Sequence, residues 1–235
     1  MNEIISAVRK GLLASISESN CTNSQRYFKE EINAHGLKVP VVNRLAKELF
    51  KQVKLLNKQE IFALCDILWE SGNLEESFIA CNWLNAISKQ FSPEDFNQFK
   101  KWIEHDINNW ASCDTFCNHS VGDFIQMYPE FLDELKKLAR SPNKWARRAA
   151  AVSLIIPAKK GMFLETVFEI ADILLVDKED LVQKGYGWML KVTSQAHQIE
   201  VFHYVINNKS VMPRTALRYA IEKMPKELRA EAMKK

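Results

Sequence analysis

Arg147-Arg148-Ala149-Ala150-Ala151-Val152-Ser153-Leu154 decides the fold once it is set beside Gln183-Lys184-Gly185-Tyr186-Gly187-Trp188-Met189-Leu190. In both segments small residues fall where one helix must lie close against another, and Arg214 to Ile221 repeats the pattern more loosely through Arg218 and Ala220. Working outward, every second helix start, near residues 93, 130, 162 and 198, recurs at intervals of roughly 32 to 37 residues. A hairpin of that length cannot bury its apolar face alone and must stack on its neighbours. The predicted architecture is therefore all-α, a curved α-solenoid of HEAT-like helical-hairpin repeats forming one domain over residues 1–235; the competing arrangement is an irregular helical bundle.

The helix boundaries follow from local punctuation. Ser92-Pro93-Glu94-Asp95 combines a Ser cap, a first-turn Pro and acids at the positive end of the helix dipole. Asn57 precedes a predicted helix from Lys58 to Glu70, and Asn73 one from Leu74 to Gln90. Pro129 and Pro142-Asn143 introduce helices at Glu130 to Arg140 and Lys144 to Ile156, with later ones at Met162 to Val176, Glu179 to His197, Ile199 to Asn207 and Pro213 to Met224. Gly36, Gly72 and Gly161 are read as helix stops. No segment alternates well enough to be a strand, and 7 Gly with 7 Pro supply too little turn chemistry for a β-barrel or sandwich.

With 47% hydrophobic and 26% charged residues, the chain can bury a core, and general disorder is excluded. The longest run without a charge or a strongly polar side chain other than Ser, Ala149 to Ala158, is too short to span a membrane. Arg9 and Lys10 stand where a signal peptide needs its apolar stretch, so a cytoplasmic protein with five reduced cysteines is expected. The net charge of +3 is unevenly spread. Lys136, Lys137, Arg140, Lys144, Arg147, Arg148, Lys159 and Lys160 form a run containing no Asp or Glu, and residues 207–235 hold eight basic against three acidic side chains. Such segregation suits a polyanion; it equally suits solvated helix faces neutralised by acids on neighbouring helices.

Trp110 and Asp114 lie one helical turn apart, so an indole and a carboxylate project from the same face. The same pair could be plain packing, with Trp110 in the core and Asp114 a buried acceptor joining helices. Cys113-x3-Cys117-x-His119, with His105 as a fourth ligand, is a weak zinc pattern because its spacing is looser than paired Cys-x2-Cys motifs, and no metal is expected. A Cys113 or Cys117 nucleophile paired with His119 lacks any visible oxyanion hole. Phosphate-binding glycine loops and Gly-x-Ser-x-Gly are absent, which excludes the usual nucleotide and α/β-hydrolase chemistries.

Arg26-Tyr27-Phe28, Gly36-Leu37-x-x-Pro40, Trp110-x-x-x-Asp114, Gly122-Asp123, Trp145-x-x-Arg148-Ala149-Ala150 and Gly187-Trp188, in this order and spacing, resemble the DNA alkylation repair family of AlkD-like 3-methyladenine DNA glycosylases. The resemblance spans nearly the whole chain and implies a HEAT-like α-solenoid. It implies hydrolytic release of N3- or N7-alkylated purines from double-stranded DNA by a monofunctional glycosylase without cofactor, acting as a monomer, cytoplasmic and nucleoid-associated when bound to DNA. It places Trp110, Asp114 and Trp188 in the catalytic cleft with Arg148, and Tyr27 at its border; Lys144 and Arg147 join Arg148 as DNA-binding candidates from the basic run. Asp114 would stabilise the oxocarbenium-like sugar, the two indoles would face the same cation, and Arg148 would hold a phosphate. The family also contains relatives that bind branched DNA without excising bases, which is the alternative function; a peptide-binding solenoid is a third reading.

Overall fold

The computed structural model describes residues 1–234. Its secondary structure is α-helical with short 3-10 and π turns, and the β pairing among the described residues is confined to two isolated bridges, Cys21 with Leu37 and Asn33 with Asn73. Contacts divide the chain into two compact units, one spanning Met1–Phe116 and one beginning at Cys117. No helix among the described residues is long and apolar enough to cross a membrane.

In the first unit the helices are α1 (Asn2–Ala14), α2 (Val39–Val53), α3 (Lys58–Glu70), α4 (Leu74–Ala86), α5 (Phe96–Lys101) and α6 (Trp110–Phe116). Helix α3 occupies the predicted range because its start is fixed locally: the Asn57 side chain accepts from Glu60 N while the Glu60 side chain accepts from Asn57 N. Helices α2, α4 and α6 pack in succession, with α1 against α2 and α3 against α4. The predicted Leu74–Gln90 helix ends at Ala86 and is followed by a 3-10 turn at Ser88–Gln90. Phe62, Trp69, Phe91, Phe99, Trp102 and Phe116 form the aromatic core; the Phe99 and Phe116 centroids, for example, lie 5.5 Å apart with the rings at 85°.

The second unit contains α7 (Gly122–Met127), α8 (Leu132–Ala139), α9 (Lys144–Val152), α10 (Ile155–Lys159), α11 (Leu164–Leu174), α12 (Asp180–Thr193), α13 (Gln198–Asn208), α14 (Arg214–Ala220) and α15 (Lys226–Met233). Here α9 packs on α12 and α12 on α14, while α8 packs on α11, so the second helix of each hairpin stacks on the second helix of the next. Gly187 explains the closeness of α12 to α14: a Cβ there would lie 2.8 Å from the Ala216 carbonyl oxygen. The predicted Lys144–Ile156 helix is broken at Ser153-Leu154. Pro157 is the cause, since its ring would clash with the carbonyl four residues earlier and it has no N–H to donate.

Of the three glycines read as helix stops, Gly72 and Gly161 follow α3 and α10 in left-handed conformations, with φ of 62° and 81°. Gly36 does not end a helix. It sits at φ 80° in the segment between α1 and α2, where a Cβ would stand 2.8 Å from the Thr22 carbonyl oxygen, and that segment is what carries Tyr27 to Trp110.

Candidate active site

Helix α6 is held in register along one face and open on the other. Its start is capped by Asn109, whose side chain accepts from Ser112 N at 2.9 Å. Ser112 Oγ lies 2.7 Å from Ser77 Oγ on α4, Cys113 is fully buried, and Phe116 anchors the helix end in the aromatic core. Trp110 and Asp114 occupy the remaining face, four residues apart and both only half-buried.

Trp110 is fixed from outside its own helix. Its indole N–H donates to the Tyr27 carbonyl at 3.2 Å, and its ring stacks on Phe28 with centroids 5.3 Å apart and planes 23° apart. Tyr27 itself is 56% exposed, and the Arg26 guanidinium lies over its ring. These residues form a 3-10 turn, Ser24–Tyr27, inside a segment without α-helix that is tied down at many points. The Gln25 side chain accepts from Ile32 N and donates to the Glu30 carbonyl. Glu75, 1% exposed at the start of α4, accepts from His35 N at 3.0 Å and Leu37 N at 2.9 Å, while Leu74 N donates to the Asn33 carbonyl. A buried carboxylate saturated by backbone donors is a rigid anchor. Phe28 and Glu75 carry no warning of these roles in the sequence, because their partners lie far along the chain.

In the second unit, Arg148 on α9 is 5% exposed and donates to the Leu181 carbonyl of α12. Gly185 makes room for it: a Cβ there would approach the Arg148 side chain to 3.4 Å. Trp188, half-buried, lies one turn further along α12. Thus the structure brings Tyr27 and Trp110 together in the first unit, and Arg148 beside the turn that precedes Trp188 in the second.

Three of the eight cations of the basic run are answered by carboxylates that lie outside it. Lys136 pairs with Asp133 at 2.9 Å and Glu169 at 2.6 Å, and Lys137 with Glu134 at 2.5 Å. These carboxylates hold both ammonium groups above the ordinary lysine range. Arg147 is clamped by Asp177 at 2.6 Å and donates to the Ser141 and Pro142 carbonyls. Lys144 lies over the Trp145 ring at 4.9 Å. Cys113 and Cys117 are buried whereas His119 is exposed, and no group of three His, Cys, Asp or Glu among the described residues is placed to hold a metal ion.

No curated protein sequence matches the chain significantly. Among solved structures, the chain is similar to a predicted DNA alkylation repair enzyme from Enterococcus faecalis, with a TM-score of 0.76 and 19% identity over 88% of this chain and 98% of the other. That likeness establishes the shared all-helical fold. The family model for DNA alkylation repair enzymes matches residues 8–224, nearly the whole length, and with it come a role in alkylation repair and DNA as the substrate class. The chain described here is a member of the DNA alkylation repair enzyme family.

Proposed function

We propose that the protein is a monofunctional glycosylase that releases N3- or N7-alkylated purines from double-stranded DNA by hydrolysis. The observation that carries this reading is the open face of α6, where a half-buried carboxylate stands one turn from an indole clamped by Tyr27 and Phe28. Alkylation at N3 or N7 makes the base cationic, so the bond from C1′ to the base nitrogen breaks with its electron pair going to the base and neutralising it. No general acid is required. The sugar is left oxocarbenium-like, and the Asp114 carboxylate stabilises that charge and orients the water that adds to C1′, taking up the proton it loses. Phe28 occupies one face of the Trp110 ring, and in this reading the other face meets the sugar cation.

Arg148 and Trp188 take the roles that the family resemblance implies, a phosphate contact and a second aromatic face. Of the cations assigned to phosphate, Arg147 is clamped by Asp177 and donates to two carbonyls, so it would reach a phosphate only by giving up those bonds. The test is incubation with duplex DNA containing 7-methylguanine and detection of the freed base. Asp114→Asn should slow release by roughly 100-fold or more, the range for loss of one preorganised electrostatic group, while DNA affinity holds or rises. A wild-type protein that frees no base yet prefers junctions to linear duplex would replace this reading with non-catalytic binding of branched DNA.

A further inference from the structure

Positive charge in the second unit exists in two states. Lys136, Lys137 and Arg147 in the long basic run are answered by Asp133, Glu134, Glu169 and Asp177. Near the C-terminus the situation is reversed. Arg218 of α14 and Lys226 and Arg229 of α15 line one open hollow of about 410 Å³ whose floor is Ile221, Ala230 and Met233. All three cations are exposed, and none makes an ion pair or side-chain hydrogen bond among the described residues.

Helix α15 is sorted by sign. Lys226, Arg229, Ala230 and Met233, at positions i, i+3, i+4 and i+7, share the face that lines the hollow. Glu227 and Glu231 of the same helix do not line it. The one acid at the rim, Glu222, is occupied by Lys191 at 3.0 Å and Lys223 at 3.8 Å. Holding like charges together around an apolar floor costs self-repulsion, which an anionic partner relieves.

We propose that this hollow seats the sugar–phosphate backbone of DNA, phosphates on Arg218, Lys226 and Arg229 and deoxyribose edges on Ile221, Ala230 and Met233. The site is too open to retain a small anion against solvent screening, whereas a polyanion gains by releasing its condensed counterions at each neutralised phosphate. Such contacts carry no base information, so the groove adds affinity and register and leaves lesion choice elsewhere. The assignment rests on duplex DNA being the substrate, as in the reading above, but not on base release.

The experiment titrates undamaged duplex into the full chain at several salt concentrations, comparing wild type with Arg218→Glu/Arg229→Glu and the milder Arg218→Gln/Arg229→Gln. Both variants should melt like wild type, bind more weakly at every salt concentration, and flatten the slope of log K against log salt by about two. Affinity and slope equal to wild type overturn the groove, even if the protein excises bases normally. Weakened, flattened binding in a protein that releases no base keeps the groove and removes the glycosylase reading. Displacement of duplex from wild type, but not from the Glu variant, by poly-glutamate at equal charge would make the hollow an acidic-protein site and overturn the DNA assignment.

Discussion

Phe28→Ala removes the ring that covers one face of Trp110 while leaving the bond from the indole N–H to the Tyr27 carbonyl. A stacked aromatic pair at this geometry contributes about 0.5–1.5 kcal/mol beyond the area it buries. With the stack gone, the indole can pivot about its single hydrogen bond and sample orientations that do not meet the sugar. If the lost free energy falls entirely on the transition state, kcat for base release drops about 2- to 13-fold with KM nearly unchanged. The fold should hardly notice, because the segment around Phe28 is secured independently by Glu75, Gln25 and the backbone pairs at Thr22 and Leu74. The assay is base release from 7-methylguanine duplex over a range of DNA concentrations, alongside a melting curve. Phe28→Tyr, which keeps the stack, should restore the wild-type rate. An unchanged kcat in Phe28→Ala would refute the clamp, and so would a raised KM at constant kcat, which would make Phe28 a DNA contact.

Gly187→Ala tests the approach of α12 to α14: the added Cβ would stand 2.7 Å from Tyr219 Cβ and 2.8 Å from the Ala216 carbonyl oxygen, and backbone cannot rotate aside. Overpacking of about 1–3 kcal/mol should outweigh the helix-propensity gain of about 1 kcal/mol, so urea unfolding should show a net loss, and a stabilised variant would contradict the packing. Asp106 is held above the ordinary carboxylate range, chiefly by burial and against the pull of Lys101, and its Oδ2 has no hydrogen-bond partner. The folded state therefore binds more protons than the unfolded state as pH climbs from the ordinary value to the raised one, and stability falls across that window. Asp106→Asn should melt higher than wild type near pH 7, with the advantage shrinking toward about pH 4; an advantage independent of pH would show that charge is not its source.

What the sequence disclosed was what is decided within a turn or two of the chain. Asn57 as a start signal places α3 correctly, and the i, i+4 spacing of Trp110 and Asp114 places both on one face of α6. Pro157 acts locally too, and it divides the predicted Lys144–Ile156 helix at Ser153-Leu154. What stayed hidden depends on partners far away. The stack of Phe28 on Trp110 and the Glu75 anchor under Leu37 join residues dozens of positions apart, so neither contact is visible in the sequence even where Phe28 and Trp110 stand in quoted motifs. Charge shows the same limit most sharply. The eight-cation run from Lys136 to Lys160 contains no acid, but it is flanked by Asp133 and Glu134 and met across the fold by Glu169 and Asp177, so much of its charge is answered before any ligand arrives. The C-terminal segment is less basic in net count, yet its cations and acids separate onto different faces of α15 and leave Arg218, Lys226 and Arg229 without ion-pair partners among the described residues around one hollow. Net charge along a chain therefore predicts a polyanion site only after helical phase has sorted the acids and tertiary pairing has claimed the cations, and that order of selection adds α14 and α15 to the candidates of the longest basic run.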